Sequence, residues 1–314
     1  MQPVLSRSEV LTLESQTVYS KMPHGESRVD PIRLNEPAVF SSTNAISFRL
    51  YPDNRPRNLE IAPLQKGLVM IFRGKELIEE GAGFGLPIAK YEDNTFFSST
   101  AYLYSERQSD GSVILRKVFS LDAVSKKQVR GASVNDAFYT VLHKNFERAY
   151  LKRESLRSIF DWTMWLRKML GVTTQFVRVK QRGLVAITYH CFPGIVEVRV
   201  NLSALDKTGA QEILILNEQG ASAFRMYSDT NGVVLYDRQI GAWAKVTAKQ
   251  AAFSDKQRQV SFVLEQKPNA SLIRGREAIK DRFSWAGMTY ALSPIVSHFE
   301  YTIRLEEKLS SILM

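Results

Sequence analysis

A chain of 314 residues with 44% hydrophobic and 11% aromatic content carries ample material for a folded core, which excludes wholesale disorder. The formal net charge of +10 suits an acidic partner such as nucleic acid, anionic lipid or acidic polysaccharide, yet the Lys and Arg residues are scattered rather than run together. The single cysteine, Cys191, excludes an intramolecular disulfide; no apolar run approaches the roughly 18 residues that span a bilayer, and the N-terminus lacks a basic-then-apolar leader, so a cytoplasmic, non-transmembrane protein is expected.

Residues 1–35 are polar with scattered apolar positions and read as an N-terminal extension. Residues 37–50 hold a strand pair, separated by Ser41-Ser42-Thr43-Asn44, and residues 51–63 form a proline- and arginine-bearing connector. Residues 68–104 then organise the rest. Val69, Ile71 and Phe72, and further on Ile88, Tyr91, Phe96 and Phe97, are β-branched or aromatic, and the turns Arg73-Gly74-Lys75 and 91–95 join the runs into antiparallel strands. Gly81, Gly83 and Gly85 strip side chains from one face, which permits a bend, a bulge or close approach of backbone or ligand. A dinucleotide site is rejected, because a strand and not a helix follows the glycines. Ser105–Ser120 reads as a hairpin around Asp110-Gly111, and Lys126-Lys127-Gln128 as a loop.

Residues 145–170 lack both proline and glycine, and Gly171 stands at their end. They read as one long amphipathic helix, more basic than acidic, with Trp162 and Trp165 on one face. Such a helix covers a sheet, holds a protein partner through Trp and Arg anchors, or lies on a membrane surface.

Strands resume at residues 176–180 and 184–189, expected as a hairpin across Gln181-Arg182-Gly183. Val196, Val198, Val200 and Leu202 alternate with polar residues, so one face is buried. Residues 213–216 and 223–227 flank Glu218-Gln219-Gly220, which reads as a turn. Residues 233–236 follow Asn231-Gly232, and residues 259–265 and 298–305 alternate again. Turns at this spacing predict a mainly β chain: a single large antiparallel β-sandwich over residues 36–314, supersandwich-like, with the helix as an insertion.

Few constellations carry chemistry. The four histidines, His24, His143, His190 and His298, have no metal-ligand spacing, so neither a metal nor a cofactor is expected. His190 and Cys191 are adjacent on a strand and point to opposite faces, so they form no thiolate–imidazole pair. Residues 274–290 set Arg274, Arg276, Glu277 and Asp281 beside Trp285 and Tyr290. Charged hydrogen-bonding groups next to flat rings suit a sugar, whose hydroxyls pair with carboxylate or guanidinium and whose C–H face stacks on a ring. His298 and Glu300, two apart on the last strand, share a face and form a candidate acid–base pair; Glu79 and Glu80 are further carboxylates.

The size fits the large antiparallel supersandwiches that bind sugars across a concave sheet, as sugar mutarotases do, a likeness of pattern rather than of motif. A carbohydrate-binding or carbohydrate-active sandwich is therefore expected. In it Arg274, Arg276, Trp285 and Tyr290 hold the sugar, and Glu277, Asp281, His298 and Glu300 are the catalytic candidates. The alternative is a non-catalytic scaffold protein that uses helix 145–170; nucleic-acid binding has no supporting motif.

Overall fold

Alternating sequence becomes antiparallel sheet throughout the computed structural model, which describes residues 32–52, 65–77, 82–91, 95–98, 100–107, 113–121, 125–129, 173–177, 182–241, 243–257, 259–278 and 284–307. The larger layer has ten strands in the order β1 (Ile32–Leu34), β8 (Thr100–Arg107), β9 (Val113–Ser120), β12 (Leu184–Phe192), β13 (Ile195–Asn201), β22 (His298–Glu307), β19 (Val260–Glu265), β18 (Gln250–Asp255), β15 (Phe224–Asp229) and β16 (Val234–Tyr236). A six-stranded sheet runs β17 (Ala244–Lys245), β20 (Ala270–Ala278), β21 (Ser284–Leu292), β14 (Ala210–Gln219), β6 (Gly83–Tyr91) and β7 (Thr95–Phe97). A four-stranded sheet holds β2 (Ala38–Ser41), β3 (Ile46–Leu50), β4 (Val69–Phe72) and β5 (Lys75–Glu76), and β10 (Ser125–Val129) pairs with β11 (Thr173–Val177).

The two large sheets bury their facing sides against each other. Tyr290 of β21 meets Phe299 and Tyr301 of β22, with ring centroids 5.0 and 4.8 Å apart. A chain of edge-to-face rings, Phe48–Phe84–Phe262–Phe224, carries the same core from the four-stranded sheet across to the ten-stranded one. Edge-to-face contact sets the positive ring edge against the negative face. Gln219 stitches the four-stranded sheet to β14 in the manner of a strand: Met70 N donates to its Oε1 at 3.2 Å, and its Nε2 donates to Leu68 O at 3.3 Å.

The glycine run builds a bulge. Leu86 pairs with Leu216 and Phe84 with Asn217, so Gly85 is skipped in the ladder. Its φ of +75° and the Tyr189 hydroxyl, which sits 2.5 Å from where a Cβ would stand, admit only glycine. The freed Gly85 N–H donates to Asn217 Oδ1 at 3.2 Å, the same oxygen that accepts from the Tyr301 hydroxyl at 2.7 Å. Buried polar groups are thus satisfied without the ladder.

Several expectations change. Ser125–Val129 is a strand rather than a loop, and Thr173–Val177 pairs with it, while β12 pairs with β9 and β13. Among the described residues of the expected 176–180/184–189 hairpin, Phe176 and Val177 pair with Lys126 and Ser125 instead of with the strand after Gln181-Arg182-Gly183. Glu218 and Gln219 are not a turn but the buried end of β14; the chain then crosses to the other sheet at β15. Residues 32–34, placed by sequence in an N-terminal extension, form the edge strand β1 paired with β8. The expected helix 145–170, Asp281, Glu79 and Glu80 lie outside the described residues. Among the described residues, no helix is long and apolar enough to cross a membrane.

Candidate ligand-binding face

The segment 274–290 is a hairpin, and strand alternation sorts its side chains onto two faces. The register sets Glu277 against Trp285, Arg276 against Ala286, Gly275 against Gly287 and Arg274 against Met288. Tyr290 meets rings of the ten-stranded sheet, so the even-numbered residues of β20 and β21 point inward and the odd-numbered ones outward.

The inward set does not meet solvent as a sugar site requires. Tyr290 is fully buried, and its hydroxyl donates to Glu265 O at 2.6 Å. The Arg274 guanidinium lies 4.7 Å from the Tyr227 ring centroid and donates to Ile240 O. Arg276 Nη2 donates to Ala221 O at 2.9 Å and lies 3.4 Å from Asp237 Oδ1, while Arg225 grips the same carboxylate through two bonds of 2.7 and 3.0 Å. The Arg225 bonds, followed by the nearby Arg276 charge, hold the Asp237 carboxyl below its ordinary pKa. Arg274 and Arg276 therefore clamp the short 3-10 turn Asp237–Ile240 between the sheets.

Three residues beyond the clamped turn stands Trp243. This residue and Asp237 both have left-handed backbone, with φ of +58° and +43°. Such a conformation costs a tryptophan on the order of 1 kcal/mol or more and persists only where its surroundings hold it. Trp243 is 42% exposed, and its ring stands 5.2 Å from that of Trp285, which is 3% exposed. The Trp285 ring lies over Gly275, where a Cβ would come within 2.5 Å of it. The Trp285 indole N–H donates to Glu277 Oε2 at 3.2 Å, so one carboxylate of the outward face is aligned along the edge of the tryptophan pair.

Beside them, a row crosses four strands: Gly83, Glu218, Gly287 and Gly275 occupy one register line on β6, β14, β21 and β20. Glu218 is its one side chain beyond glycine and is 1% exposed. Thr289 Oγ1 lies 3.5 Å from its carboxyl. Burial, with the Glu277 charge adding to it, pushes the Glu218 carboxyl up to about 8, so at neutral pH it is mostly protonated.

The remaining expected residues lie elsewhere. Phe299 and Tyr301 face the six-stranded sheet, so His298 and Glu300 project from the opposite side of the ten-stranded sheet, where Glu300 Oε1 is 3.8 Å from Arg199 Nε. They share a face with each other but not with Glu277. On that same side His190 faces Glu197 at 3.9 Å, and burial raises the neighbouring Cys191 thiol, which disfavours a thiolate. Among the described residues no cluster of three metal-ligating side chains occurs. The structure thus unites Glu277 and Trp285 of the expected set and adds Trp243 and Glu218. Trp243 carried a sequence signal, Gly241 followed two residues later by a tryptophan. Glu218 was masked by the turn-like Glu-Gln-Gly.

No family model matches the chain, and no curated protein does. Among solved structures the chain is similar to the Slr1438 protein of Synechocystis sp. PCC 6803, at 8% identity and a TM-score of 0.34 over 92% of this chain and 99% of that one. A likeness at that level carries no functional argument.

Proposed function

We propose that the outward face of β17, β20 and β21 binds carbohydrate. Trp243 supplies the surface on which the C–H face of a sugar ring stacks, and Glu277 accepts hydrogen bonds from its hydroxyls. The observation that carries this reading is the half-exposed Trp243, left-handed in its backbone and tilted against Trp285, whose N–H donates to Glu277. A ring held rigidly loses little conformational freedom on binding, which suits a weakly interacting ligand. The reading is binding rather than turnover. Glu218 is buried beneath the face, and the histidine and carboxylate expected to move protons stand on the far side of the other sheet.

The test is retention and tryptophan-fluorescence quenching against a panel of neutral and acidic oligosaccharides. Binding by the wild-type protein, and its loss in Trp243→Ala with the thermal unfolding midpoint unchanged, is expected, since Trp243 already lies at the surface. If no oligosaccharide in the panel quenches the fluorescence, or if Trp243→Ala binds as the wild type does, the reading falls.

A further inference from the structure

The chemical class of the ligand can be read from the edge strand. Lys245 pairs with Ile273, one position along from the inward Arg274, so its side chain lies on the outward face with Trp243, Glu277 and Trp285. It is exposed, and none of the ion pairs among the described residues involves its ammonium. Among the described residues, the other ionisable groups of this patch are both carboxyls. Glu277 accepts from the Trp285 indole, and Glu218 is buried in the glycine row. Among the described residues Lys245 is therefore the exposed cation of the patch, two residues from the Trp243 ring. β17 is the edge of its sheet, so a chain-like ligand can continue along it.

We propose that this face selects carboxylate-bearing sugars, that is uronic-acid oligosaccharides, with Lys245 as the residue that sets the preference. The inference rests on the carbohydrate reading above. A uronate carries its carboxylate at the periphery of the ring. Stacking the ring on Trp243 directs the charge sideways, toward a neighbouring side chain on the same face rather than into the tryptophan. A neutral sugar would gain the stack and the Glu277 acceptor but would leave Lys245 solvated and unused. The formal net charge of +10 adds a general attraction for a polyanionic chain, which speeds encounter without choosing the site.

The experiment is calorimetric titration with short oligogalacturonates and with a glucuronate-containing tetrasaccharide, each as the free acid and as the carboxyl methyl ester. The free acid is expected to bind about tenfold or more tightly than the ester, as for a charge-assisted hydrogen bond set against a neutral one. Lys245→Met is expected to bring the acid down to the ester's affinity and to leave the ester unchanged. Lys75→Met, at an exposed lysine of β5 in a different sheet, removes the same charge and is expected to change neither. Equal affinity of acid and ester, or an unaltered preference in Lys245→Met, overturns the assignment of Lys245 while sugar binding stands. Binding of neutral oligosaccharides alone does the same. Failure of acidic, esterified and neutral oligosaccharides together removes the carbohydrate reading and this inference with it.

Discussion

Glu218 shows how a single residue ties stability to pH. Its carboxyl is buried beside Thr289, and its folded value of about 8 lies above the ordinary value of 4.5. Below the ordinary value both folded and unfolded chains hold the proton, and the group adds no slope. Between the two values the folded chain keeps a proton that the unfolded chain has lost. Stability therefore falls as pH rises through this window, by at most about 1.4 kcal/mol per unit, and levels off above the folded value. Calorimetric melting across pH 4 to pH 9 (roughly the span of the two values) is expected to show this decline, with a flatter profile for Glu218→Gln. Parallel profiles would mean that the carboxyl is not held neutral by burial. Gly85 makes the complementary point about geometry: its φ and the Tyr189 hydroxyl together leave no room for a side chain, and the bulge there is what turns Asn217 into a buried acceptor.

At the scale of the element, the turn Asp237–Ile240 joins the edge strand β16 of one sheet to the edge strand β17 of the other. Three arginines on two strands hold it, Arg225 from β15 and Arg274 with Arg276 from β20. Asp237 is the shared partner of two of them. Asp237→Asn keeps a residue that tolerates the left-handed backbone but removes the charge. Because the Asp237 side chain is 38% exposed, solvent screening leaves a loss of about 1 kcal/mol in urea unfolding. The larger expected effect is local. The Trp243–Trp285 near-ultraviolet circular dichroism signal weakens, since the turn that seats Trp243 loosens. An intact signal in Asp237→Asn would show that the clamp does not position Trp243.

For the whole molecule, chain order and spatial order diverge. The last described strand, β22, is not an edge strand but sits between β13 and β19 in the middle of the ten-stranded sheet, and it supplies Phe299, Tyr301 and Ile303 to the core. A chain ended after Ser297 would leave two strand edges unpaired and the Tyr290 side of the six-stranded sheet uncovered. Such a truncation is expected to lose cooperative thermal unfolding and soluble expression. A truncated chain that melts cooperatively near the wild-type temperature would mean that the ten-stranded sheet does not depend on its central strand.

Local pattern was enough for most strands. Alternation in residues 196–202 and 298–305 reports which side of a strand is buried, because side chains on a strand repeat every two residues whatever the partner. The glycine run announced a bend or bulge for the same kind of reason, since φ preference belongs to the residue. By itself, then, the sequence determined that this protein is antiparallel β, where its hairpins Val69–Glu76 and Phe224–Tyr236 close, and that charge and aromatic rings gather near residues 274–290; that those residues form the β20–β21 hairpin came from the structure. Only the tertiary structure decided which of those charges reach a ligand face. The register of β20 on β21 sends Arg274 and Arg276 inward and Glu277 and Trp285 outward. A crossover between sheets turns Glu-Gln-Gly from an apparent turn into a buried strand end. His298 and Glu300 share a face with each other and yet stand on the opposite side of the sandwich from Glu277. Pairings of this kind join residues far apart in the chain, and nothing local in the sequence encodes their free energy.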